Sequence, residues 1–160
     1  YTEPRLVQVA EAVQKMLGEA LNVKLEIKTV QFAELLSLAE EGKINFWGTR
    51  WYGDYPDAEN FINLLDGSLV PKNETEPSYP NSSRYSNPEA TEALNKAVAS
   101  TNVQERSNYY LKAESLAMKD APALMLFYEM HYRMLQPNVR NYPLDAMARV
   151  VLKNSWFAGK

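Results

Sequence analysis

The strict alternation of residues 22–29 constrains this chain more than any other feature. Val23, Leu25 and Ile27 fall on one side of an extended backbone and Lys24, Glu26 and Lys28 on the other. That is the two-residue period of a strand with one buried face. It lies between two stretches of helical period. Leu6, Val9, Ala10, Val13, Leu17 and Leu21 recur at three- and four-residue spacing, predicting a helix over about 3–21, with Pro4 in the first turn where its missing N–H is no loss. Phe32, Leu35, Leu36 and Ala39 carry a second helix over 32–41, and Gly42 is placed to end it. Residues 43–49 read as a second, more apolar strand. Helix, strand, helix, strand at this spacing predicts parallel pairing with right-handed crossovers. The expected class is α/β, with a mixed sheet flanked by helices. A strand would normally precede the first helix, and the chain opens on Tyr1 rather than Met; both lead us to expect a piece of a longer protein.

Composition removes several function classes. The 160 residues suit one domain, here 1–160, and 46% are apolar, enough for a core of ordinary proportions. There is no cysteine, so disulfides, thiolate zinc sites and cysteine nucleophiles are absent. His131 is the one histidine, too few for a histidine-rich metal site, and we expect no cofactor. Lys and Arg number 17 against 20 Asp and Glu, for a net charge of −3, which is no footprint for nucleic acid. No apolar run approaches the roughly 18 residues of a membrane-spanning helix.

Further along, Asp57 can cap a short helix over 58–65. Residues 66–87 contain Pro71, Pro77, Pro80 and two Asn-X-Ser/Thr triplets at Asn73 and Asn81; a segment this long is expected to be a functional lid or a long surface excursion. Ser86-Asn87-Pro88-Glu89 and Thr101-Asn102-Val103-Gln104 are capping-box patterns, opening helices to about Ser100 and Lys119. Tyr109 and Leu116 supply apolar contacts on the second. Residues 122–135 read as one or two strands broken near Glu129, and the Met and aromatic content of 124–134 as core. A short strand is expected at 150–152 within a mixed tail.

The densest chemistry lies at 47–57. Trp47-Gly48-Thr49-Arg50-Trp51-Tyr52-Gly53-Asp54-Tyr55-Pro56-Asp57 holds four aromatic residues, two glycines, one arginine and two acids. It follows a predicted strand, and open α/β sheets bind ligands beyond the carboxyl ends of their strands. Aromatic faces can pack against a ligand, glycines let backbone approach it, and Asp54 can meet a cationic group. The competing reading is a tight turn with its aromatics in the core and Asp57 as a helix cap. Asp54 and Asp57 do not make a glycosidase on spacing alone, since that chemistry needs two carboxylates about 5–9.5 Å apart across a sugar. His131 has no Gly-X-Ser-X-Gly motif beside it and reads as structural. The charges at Lys112, Glu114, Lys119 and Asp120 read as a solvated helix face.

These motifs, in this order, carry a resemblance. Trp51-Tyr52-Gly53-Asp54-Tyr55-Pro56-Asp57-Ala58-Glu59-Asn60-Phe61 resembles the W-x-A-D-Y-x-D-P-x-N-F-like signature of the extracytoplasmic solute-binding proteins of oligopeptide and dipeptide ABC importers, with Ala58 in place of the proline. Tyr85-Ser86-Asn87-Pro88-Glu89, then Gln104-Glu105-Arg106 with Tyr110, Ala113 and Glu114, then Asp120-Ala121-Pro122 are similar to later motifs of that family.

The resemblance implies the core of the C-terminal lobe of a longer, two-lobed, periplasmic-binding-protein-like fold that closes on a solute without chemistry. It implies a peptide ligand, ABC permease subunits and an N-terminal lobe of the same chain as partners. It implies a place in the bacterial periplasm or on the extracytoplasmic face of the envelope, free or lipoprotein-anchored. By position, Asp54 accepts the peptide's ammonium group, residues 50–52 pair with the peptide backbone, and the ligand set is Arg50, Trp51, Tyr52, Gly53 and Asp54. A cation as long as Arg50 can fill the site, pair with Asp54 or meet an anionic solute. The alternatives are a non-peptide solute, such as an oligosaccharide stacked on Trp47, Trp51 or Tyr55 or a metal complex, and, behind that, a carboxylate-based hydrolase.

Overall fold

A computed structural model describes residues 2–145 and 147–159. Helix α1 (Pro4–Leu21) starts on Pro4 and stops where Asn22 turns into the left-handed region, φ 53°, its N–H returning to the Gly18 carbonyl at 3.1 Å. Asparagine tolerates that conformation better than most residues. Helix α2 (Phe32–Glu40) buries Leu35 and Ala39 and ends at Gly42, whose φ of +67° only glycine adopts freely.

The expected strands between these helices are extended but do not form a ladder. Val23, expected on the buried face, is exposed, but Leu25 and Ile27 are partly buried while Lys24, Glu26 and Lys28 are exposed, so the side-chain alternation is realised there. Main-chain pairing is not: the Leu25 carbonyl takes its hydrogen bond from the Gln14 side chain of α1, at 2.7 Å. The same holds for 43–49, 122–135 and 150–152. Among the described residues the strands are β1 (Val139–Arg140) and β2 (Trp156–Phe157), antiparallel, with Val139 opposite Phe157. A two-residue period specifies which way side chains point; a ladder also needs a neighbouring backbone in hydrogen-bonding register, and among the described residues only β1 and β2 meet that condition.

The expectation that 124–134 is core is likewise corrected. Tyr128 is fully exposed, and Met130, Tyr132 and Met134 remain at least 74% exposed. The core lies instead between α4 (Pro88–Ala99) and α5 (Val103–Asp120), a hairpin built on small residues. Ala93, Leu94, Ala97, Tyr110 and Ala113 form one buried cluster, with Ile62 and Tyr109 packed against it. Alanine at these positions lets the helix axes approach closely.

Both helices are capped one residue beyond the expected Ser and Thr. Asn87 Oδ1 accepts from Glu89 N and Ala90 N, and Asn102 Oδ1 accepts from Glu105 N at 3.0 Å. Asparagine has a donor to spare after capping: Asn87 Nδ2 reaches Asp120 Oδ2 at 2.7 Å, where the Tyr85 hydroxyl also donates at 2.7 Å. Asp120, expected on a solvated face, thus ties the end of α5 to the start of α4.

The long segment 66–87 is fastened by a buried asparagine. Asn81 Nδ2 donates to the carbonyls of Asp66 and Tyr85 at 2.9 and 2.8 Å, and its Oδ1 accepts from the Ser83 hydroxyl at 2.8 Å. Ser78 Oγ donates to the Asn81 carbonyl at 2.7 Å. Asn81 and Ser78 are both fully buried, so the Asn81 triplet is closed to modification.

Candidate ligand-binding site

Residues 50–60 run from an extended segment into the short helix α3 (Glu59–Ile62), which continues as a tighter turn, Asn63–Leu65. Asp57 caps it, Oδ1 accepting from Glu59 N at 2.9 Å. The same carboxylate is gripped from α5: Arg106 Nη1 donates to Asp57 Oδ2 at 2.6 Å and Nη2 to Oδ1 at 2.9 Å. That guanidinium holds the Asp57 carboxyl below the ordinary carboxylate range. Capping was legible for Asp57; its partner, 49 positions away, was not.

Asn60, the one buried residue of α3, organises the loop above it. Its Oδ1 accepts from Trp51 Nε1 at 2.9 Å and from Asp54 N at 3.0 Å, and its Nδ2 reaches Asp54 Oδ2 at 3.4 Å. The Trp51 indole is therefore turned toward α3 and packs, tilted, against Tyr79 with ring centroids 6.4 Å apart. Asp54 is exposed. Among the described residues no lysine or arginine approaches its carboxylate within ion-pairing distance. Gly53 lies under Phe61 and Met147: a side chain there would lie 3.0 Å from Phe61 Cζ and overlap the Met147 methyl.

Arg50 does not pair with Asp54. It lies between Glu3, whose Oε2 is 2.8 Å from Nη2, and Glu129, whose Oε1 is 3.3 Å from Nη1. Its guanidinium also sits 5.2 Å from the Tyr52 ring centroid. The Tyr52 hydroxyl donates to Glu129 Oε2 at 2.7 Å. That bond pushes the phenol up from its ordinary value and holds the Glu129 carboxyl down.

His131 is not a core histidine. It is exposed and lies against Tyr52, rings 5.4 Å apart and tilted by 44°. Glu129 and His131 are the site neighbours that the sequence reading missed. The signal was present in the two-residue alternation: 129, 131 and 133 are polar, while 128, 130, 132 and 134 are Tyr, Met, Tyr and Met. The structure thus groups Arg50 and Tyr52 with Glu3, Glu129 and His131, and Trp51, Gly53 and Asp54 with Asn60 and Phe61.

Residues 1–73 match the family described as bacterial extracellular solute-binding proteins, family 5, middle region. The chain is 30% identical over 122 residues to Heme-binding protein A of Haemophilus influenzae, covering 76% of this chain and 21% of that protein. It is 25% identical over 138 residues to the periplasmic murein peptide-binding protein MppA of Escherichia coli, covering 86% of this chain and 24% of that one. It is 21% identical over 156 residues to the oligopeptide-binding protein OppA of Bacillus subtilis, covering 98% and 27%. The unliganded, open structure of the murein tripeptide-binding protein MppA superposes with a TM-score of 0.64 at 25% identity, over 76% of this chain and 22% of that one.

The family 5 solute-binding proteins are the family this chain resembles.

It spans about a quarter of the length of the curated relatives it matches. The match to the murein tripeptide-binding protein supports the α/β lobe. The family is one of solute-binding proteins rather than enzymes. The relatives above are named for chemically different solutes: haem, murein peptides and oligopeptides.

Proposed function

We propose that the protein containing this chain captures peptides outside the cytoplasmic membrane for an ABC importer, with Arg50, Trp51, Tyr52, Gly53 and Asp54 contributing to the groove. The observation that carries this reading is the state of Asp54. Its backbone N–H is fixed by Asn60 at 3.0 Å, its carboxylate is exposed, and among the described residues no cation neutralises it. An exposed carboxylate on backbone held in this way suits a ligand ammonium, and the charge-assisted bond strengthens where closure excludes water. Arg50, held by Glu3 and Glu129, shapes the groove beside Tyr52 rather than competing for Asp54. Extended backbone at 50–52 leaves main-chain groups for pairing with a peptide, an interaction indifferent to side chains. The relatives named for murein peptides and oligopeptides support the same solute class. An N-terminal lobe of the same protein closing the cleft, and a permease receiving the solute, belong to this reading.

One observation favours a second reading, a non-peptide solute: the relative at 30% identity is named for haem. Native mass spectrometry of the protein as purified separates the two. Co-purifying masses that fragment as peptides support the first. A single non-peptide mass supports the second and overturns the first.

A further inference from the structure

We infer that Asn60 is a positioning residue that aims the Asp54 carboxylate and so sets the preference of the groove for a free amine; this rests on the peptide reading above. Asn60 is 7% exposed, and its amide can be oriented only one way. Two N–H donors, Trp51 Nε1 at 2.9 Å and Asp54 N at 3.0 Å, converge on one end. Only the carbonyl oxygen can receive them, because a flipped amide would set N–H against N–H. The amino end must then face Asp54 Oδ2, 3.4 Å away. One buried side chain thereby fixes the Trp51 indole, the Asp54 backbone and the direction of the Asp54 carboxylate.

The choice of a neutral amide matters. A lysine or arginine at this place would also orient the carboxylate but would cancel its charge. Asn60 orients it and leaves the charge for a ligand. Its own support is rigid: α3 is capped by Asp57, and Asp57 is held in a two-point grip by Arg106 of α5. The path from the α4–α5 hairpin to the carboxylate therefore runs through the Arg106–Asp57 grip, the first turn of α3 and the Asn60 amide.

The test compares a mixture of tripeptides with free amino termini against the same mixture acetylated, binding to the whole protein. Wild type should prefer the free amines by about tenfold or more, the worth of one hydrogen bond to a charged group. Asp54→Asn should abolish that preference, and Asn60→Ala should reduce it to about threefold or less. A merely structural role for Asn60 would weaken both mixtures equally and leave the ratio intact, which overturns the inference. If wild type shows no preference, the amine-anchor reading fails and takes the inference with it. If Asp54→Asn loses the preference and Asn60→Ala keeps it, that reading stands and the inference alone fails.

Should Asn60→Ala not fold, hydrogen exchange in the wild type decides. The Trp51 indole N–H, assigned by its disappearance in Trp51→Phe, should exchange at least about tenfold more slowly than that of Trp156, because it is bonded to a buried acceptor. Equal exchange of the two indoles overturns the inference.

Discussion

Arg106 on α5 and Asp57 before α3 meet in a two-point ion pair, at 2.6 and 2.9 Å. The guanidinium also stacks on Tyr110, 5.1 Å from its ring centroid, and donates to its hydroxyl at 2.9 Å. A planar fork matches a carboxylate in a way that an ammonium cannot. Because the folded-state pKa of Asp57 is depressed, its contribution to stability is present above the ordinary carboxylate range and is lost as pH falls through the folded value.

Thermal midpoints measured between about pH 6 and about pH 2 should therefore fall less steeply for Asp57→Asn than for wild type. The asparagine keeps an acceptor for Glu59 N but has no charge to lose. At neutral pH, Asp57→Ala, which removes the cap as well, should cost about 1 kcal/mol beyond the loss of the pair. Parallel acid curves for wild type and Asp57→Asn would show that the pair contributes nothing.

How far the sequence led can be judged on these same residues. Asp57 was readable as a cap because capping is local, a carboxylate two residues before the N–H it accepts. Arg106 was quoted only within a family-like helix motif, since nothing in a one-dimensional pattern says which acid an arginine will meet 49 positions away. Asn60 illustrates the same limit. It stood in the quoted signature as one more polar residue, and its role depends on three groups converging in space. The alternation of residues 22–29 gave the facing of Leu25 and Ile27 correctly, yet the pattern is silent about whether a partner strand lies alongside. At 124–134 apolar content was taken for burial; the period of two beneath it would have placed Glu129 and His131 on one face, though not said what that face meets.

Asn81 fastens the long segment after α3. Its side chain is fully buried and satisfies the Asp66 and Tyr85 carbonyls and the Ser83 hydroxyl. Asn81→Ala leaves those groups without their partner away from water. Urea unfolding should show a loss of about 2–4 kcal/mol. Asn73→Ala, in an exposed turn of the same segment, should lie within about 0.5 kcal/mol of wild type. Similar effects at the two positions would contradict the account of how this segment is held.

Tyr85 offers a spectroscopic check on the link between α4 and α5. Burial, and then the bond to the Asp120 carboxylate, push its phenol up to about 12. Asp120 is correspondingly held down, first by Asn87 and then by Tyr85. In an ultraviolet titration Tyr85 should be among the last of the ten tyrosines to ionise, and Tyr85→Phe should remove amplitude near pH 12 rather than near pH 10. Loss of amplitude near pH 10 instead would mean that the hydroxyl does not donate to Asp120.

The central claim is that Asp54 is an unneutralised carboxylate held ready for a ligand's amine, and calorimetry of Asp54→Ala in the whole protein tests it most directly. With a peptide mixture as titrant, the wild type should bind and the variant should bind at least about tenfold more weakly, the cost of losing a charge-assisted bond in a closed cleft. Its melting temperature should change little, because the Asp54 side chain is exposed and, among the described residues, its one side-chain hydrogen bond is the 3.4 Å one from Asn60. Equal affinity in the two proteins would contradict the claim and turn attention to Tyr52, Glu129 and His131.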